Sequence, residues 1–133
     1  MKPLLIVTAV VEAGIGIGLL VVPSTVAQVL LGTTLDAPVA VTVARVAGAA
    51  LLALAVACWL ARHDTLSYAA RGIVSAMMLY NLGAMLVLGA AGLRPQPVGI
   101  GLWPAVILHA VMTVWCVTSL FRKSPNPFSG NPP

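Results

Sequence analysis

The stretch PLLIVTAVVEAGIGIGLLVV, residues 3–22, decides the reading of this chain: it runs through twenty residues with Glu12 as its single ionisable group. About 20 apolar residues in helical form span the hydrocarbon of a bilayer. Three further stretches of the same kind follow, at about residues 38–61, 70–92 and 99–121. The separators are turn-forming: Pro23-Ser24, Asp36-Ala37-Pro38, Arg62-His63-Asp64 and Arg94-Pro95-Gln96-Pro97. The expected fold is all-α, an integral membrane four-helix bundle. Its domain is expected to occupy residues 1–123, followed at 124–133 by a disordered cytoplasmic tail, SPNPFSGNPP, too polar and Pro-rich to pack.

Composition agrees. Of the 133 residues 60% are hydrophobic and 8% charged, with a mean hydropathy of +1.05. Soluble domains carry about 25% charged residues, and a soluble fold of this size has too little interior for so many apolar side chains. The net charge of +4 does not point to nucleic acid, because the basic residues sit at the ends of apolar runs and no basic face with interleaved aromatics exists. Cys58 and Cys116 form no CxxC or CxxH spacing, which removes the zinc and haem-attachment patterns.

Basic residues in short loops orient such a chain. With the N-terminus inside, Lys2, Arg62, Arg71, Arg122 and Lys123 are cytoplasmic and Arg94 alone is outside. Both termini are then cytoplasmic, with Trp59, Tyr68 and Phe121 near the inner interface and Trp103 near the outer one. Lys2 before an apolar run and Thr25-Val26-Ala27 also suggest a cleavable secretory signal, but the run exceeds a typical h-region and contains Glu12. Between the first two spans, Val26, Val29 and Leu30 stand at helical spacing before Gly32, which predicts a short interfacial helix over 24–31, with an irregular loop as the alternative. Asp36 is a candidate cap for the second span, whose first turn holds Pro38. Small residues suggest where spans pack: Gly14 with Gly18 as a GxxxG pair in the first, and two small-residue faces on the second, Ala40-Ala44-Gly48 and Ala49-Ala53-Ala57.

Polar residues inside the spans are the candidate site. Glu12, Arg45, Asn81 and His109 fall within one layer, from the midplane outwards, by counting ~1.5 Å per residue from the loops. An unpaired Glu or Arg at a helix centre costs about 2.5–3.5 kcal/mol on insertion scales, so Glu12 and Arg45 are expected to pair. Tyr80, Thr8 and Thr42 are candidates for the remaining hydrogen bonds. The layer either braces the bundle or binds the head of a hydrophobic molecule such as a quinone or lipid. His109 with Met112, Cys116, Met77, Met78 and Met85 is a weaker candidate for a soft metal such as Cu(I); Met is also ordinary packing material. No catalytic constellation is visible, so an enzyme is not the expectation, and no resident cofactor is indicated.

Glu12, the Gly-rich remainder of its span, Pro23 and the segment Ala44-Arg45-Val46-Ala47-Gly48 with the Ala/Leu run after it resemble the DoxX-like small four-helix membrane proteins of bacteria. The resemblance implies a compact bundle in the bacterial cytoplasmic membrane, whose relatives include subunits of quinone-linked oxidoreductases; it implies no catalytic residue. Val11-Glu12-Ala13-Gly14 also resembles the first span of small multidrug resistance transporters, which would imply a proton-coupled dimer. Against that comparison, Arg45 is expected to neutralise Glu12, and the aromatic substrate face of that family is missing. The expected partners are the bilayer and either a larger membrane complex or a second copy of the chain.

Overall fold

The computed structural model describes residues 1–64 and 67–121. The expected tail, and Arg122 and Lys123 with it, lie outside these. The fold is all-α, in the order α1 (Lys2–Val21), α2 (Pro23–Leu31), α3 (Pro38–Ala61), α4 (Tyr68–Gly92) and α5 (Leu102–Phe121). Among the described residues four helices, α1, α3, α4 and α5, are long and apolar enough to cross a membrane. The arrangement is consistent with a membrane-spanning four-helix bundle.

Proline sets three of the helix starts. Pro3, Pro23 and Pro38 each lie in a first turn, where the missing N–H has no helical acceptor to lose. Val22, at the junction of α1 and α2, still donates to Gly18 O at 2.8 Å. The expected short helix forms as α2 and ends at Gly32, whose φ of 75° is a left-handed conformation that glycine adopts without strain. Asp36 does not cap α3: Ala37 holds that position without a side-chain bond, and Asp36 instead accepts from Thr34 at 2.9 Å. Ser67 caps α4 by accepting from Ala70 N at 3.1 Å.

The helices associate as two close pairs, α1 with α3 and α4 with α5. In the first pair the backbones touch at Gly16 and Gly48, where a Cβ on either would reach the other's carbonyl oxygen at 2.9 and 2.7 Å. The expected Gly14–Gly18 pair is not the contact: Gly14 faces open space and Gly18 faces Val26 of α2. Nor does α3 pack on both small-residue faces. It buries Gly48, Leu51, Ala55 and Cys58 along one side, while Ala49 and Ala53 are exposed. The two pairs meet in a core of Leu4, Leu5, Ala9, Cys58, Val74, Met77, Met112 and Cys116.

At the opposite end from this core, the α4–α5 connection folds onto α2. Gly99 and Gly101 donate to Leu30 O at 3.2 Å and to Val29 O at 2.9 Å, satisfying carbonyls that the end of α2 leaves open. This docking delays the start of α5 to Leu102, three residues after the apolar run begins.

Candidate functional site

Glu12 is 3% exposed, on the face of α1 that also buries Thr8 and Gly16. The phenol of Tyr80, from α4, lies near its carboxyl group, and both line one cavity. Asn81, the next residue of α4 and 2% exposed, turns toward α5. Its Nδ2 donates to Met77 O at 2.7 Å, and its Oδ1 is 2.8 Å from His109 Nδ1. Tyr80 and His109 stack edge to face, with ring centroids 5.8 Å apart and an interplanar angle of 84°, a geometry that aligns ring edge with ring face. Thr113 donates to His109 O at 2.8 Å. The polar layer thus forms from α1, α4 and α5, and it laces the two helix pairs together.

Arg45 does not join it. Its side chain is exposed on the outer face of α3, and the group beside the Glu12 carboxyl is the Tyr80 phenol rather than a guanidinium. The expected ion pair is absent, and the reason is geometric. Side chains lean toward the N-terminus of their helix, and Arg45 stands seven residues, about 10 Å, below Pro38. From that depth a long basic side chain snorkels to the nearer interface, its stem against lipid. Thr42 is exposed as well, and its hydroxyl is spent on Pro38 O at 3.0 Å. Thr8 is 1% exposed and buried with Glu12, but its Oγ1 has no hydrogen-bond partner.

Glu12, Tyr80 and His109 enclose a small cavity of about 80 Å³ with aliphatic walls from Val11, Ile15, Leu30, Leu88, Ala105 and Leu108. That volume accommodates a small polar head or a few waters. Beyond Leu30 and Leu88, which line both spaces, an apolar groove of about 400 Å³ runs between α2 and α3 past Pro23, Ala27, Val43 and Ala47. Sequence reasoning placed the polar groups at one depth but did not foresee this groove, which depends on how α2 folds back. Among the described residues no group of three or more His, Cys, Asp and Glu could hold a metal. Met77, Met112 and Cys116 belong to the apolar core.

Chemically, the cavity offers a carboxyl group, a phenol and an imidazole, each held by a different partner, in an otherwise apolar chamber. Comparison with protein-family models, curated proteins and solved structures finds no match for the chain.

Proposed function

We propose that the chain is a non-catalytic membrane protein whose cavity receives the polar head of a hydrophobic molecule, a quinone or lipid, and that it serves as an accessory subunit of a membrane complex. One observation carries this reading: a buried carboxyl group with no cation beside it lines a chamber that shares two of its walls, Leu30 and Leu88, with an apolar groove. A brace needs no chamber. Lys2, Arg62 and Arg71 at one end of the bundle against Arg94 at the other support cytoplasmic termini, and the resemblance to DoxX-like proteins supports a bacterial inner membrane. Extraction in mild detergent, followed by mass spectrometry of the bound small molecules, tests the reading. Wild type should retain one lipid-like species near stoichiometry and Glu12→Leu should lose it; a bare wild-type protein would contradict the proposal.

The exposed position of Arg45 favours a second reading. With no guanidinium to hold its proton off, Glu12 can exchange a proton against a substrate, as a coupled transporter working as a dimer requires. Proton release from detergent-solubilised protein on addition of a lipophilic cation, abolished by Glu12→Gln, is the expected sign. Equal release from both proteins, or none from either, removes it.

A further inference from the structure

This inference rests on the head-group reading and concerns the chemistry of the head. Because Asn81 Nδ2 donates to Met77 O, the amide presents Oδ1 to His109, and an amide oxygen only accepts. His109 Nδ1 must therefore carry the proton of that bond. In the neutral imidazole the other nitrogen, Nε2, then bears a lone pair and no proton. His109 lines the cavity and Asn81 does not, and Nε2 is the ring nitrogen left without a hydrogen-bond partner among the described residues.

The other polar groups of the chamber are the Glu12 carboxyl, whose oxygens accept, and the Tyr80 O–H beside it. A ketone or ether head, which only accepts, leaves Nε2 unpaired. A head with its own O–H or N–H satisfies Nε2 and has the Glu12 carboxyl within the same chamber. Sites built around buried hydrogen-bonding groups reject analogues that cannot pair with them far more strongly than apolar pockets reject a changed methylene.

The geometry points to a hydrogen-bond-donating amphiphile as the occupant: a hydroxyl or ammonium head between Glu12 and His109, with its chain passing Leu30 and Leu88 into the apolar groove. Hydroquinols and long-chain alcohols or amines share this chemistry. Oxidised quinones, which only accept, do not.

Nitrogen-15 spectra of the histidines in lipid nanodiscs, with a His63→Gln sample assigning His109, test the first step. The expected spectrum has Nδ1 protonated and Nε2 bare; a protonated Nε2 overturns the inference. Titration of the wild-type protein with 1-decanol, decylamine, decyl methyl ether and 2-decanone tests the second. Saturable movement of the Nε2 signal with the alcohol or the amine, at least tenfold tighter than with the ether or ketone, is expected. Saturation by the amine alone assigns an ammonium head, and saturation by the alcohol assigns a hydroxyl head. A ketone that binds as tightly as the alcohol overturns the inference but leaves the head-group site standing. No response to any of the four counts against both.

Discussion

Gly16 and Gly48 bring α1 and α3 together backbone to backbone, each occupying the space that a Cβ on the other would need. Close approach of this kind replaces the hydrophobic effect as the source of helix association in lipid, where surrounding tails are as apolar as the side chains. Gly48→Ala should therefore push the pair apart and cost about 1–3 kcal/mol, as overpacking does elsewhere, whereas Gly14→Ala, facing open space, should be nearly neutral. Equilibrium unfolding in mixed micelles separates the two, and equal effects would contradict this crossing.

Gly99 holds the end of the bundle opposite the Leu4–Cys116 core in the same manner. A Cβ there would lie 2.0 Å from Val29 O, so Gly99→Ala cannot keep the loop docked on α2 and should also weaken the Gly99 bond to Leu30 O. Hydrogen exchange should speed up at Gly99 and Gly101, with α4 little affected near Met77. Gly89→Ala, which meets nothing within 4 Å, is the control.

Asn81 and His109 should behave as a coupled pair. Asn81→Leu leaves the Nδ1–H of His109 without its acceptor, at a cost of about 1–3 kcal/mol, while replacing both partners by apolar groups is often close to neutral. The double variant Asn81→Leu/His109→Phe should therefore be more stable than the sum of its single changes predicts. Strict additivity in a double-mutant cycle would show that the 2.8 Å contact does not contribute.

Glu12 and Arg45 should show no such coupling. Arg45 is exposed on the far flank of α3, so Arg45→Leu should change stability in detergent by less than about 0.5 kcal/mol. Its effect should also add to that of Glu12→Gln within about 0.5 kcal/mol. Coupling above about 1 kcal/mol would restore the ion pair.

Much of this architecture was legible in the residues. Apolar length fixes the spans, Pro3 and Pro38 mark the starts of two of them, and Gly32 ends the short α2, because hydrocarbon demands the former and the backbone chemistry of proline and glycine the latter. The shared depth of Glu12, Asn81 and His109 follows from counting along the helices, which puts Arg45 in the same layer. Rotation about the helix axis does not. Gly14, Gly16 and Gly18 alternate within five residues, and which of them touches α3 is decided by the partner's Gly48 rather than by spacing. Arg45 misleads for a related reason: a long side chain two turns from an interface has water as an alternative to a buried carboxylate. Asp36 looked like a cap but sits one residue early, where Thr34 engages it.

The account turns on whether Glu12, Tyr80 and His109 enclose a space meant for another molecule. Electron density from crystals grown in a lipidic phase answers this most directly. The expected map shows non-protein density beginning between Glu12 and His109 and continuing past Leu30 and Leu88 into the groove, with Arg45 directed away from it. A chamber collapsed on its own side chains, or an Arg45 guanidinium bonded to Glu12, would contradict it.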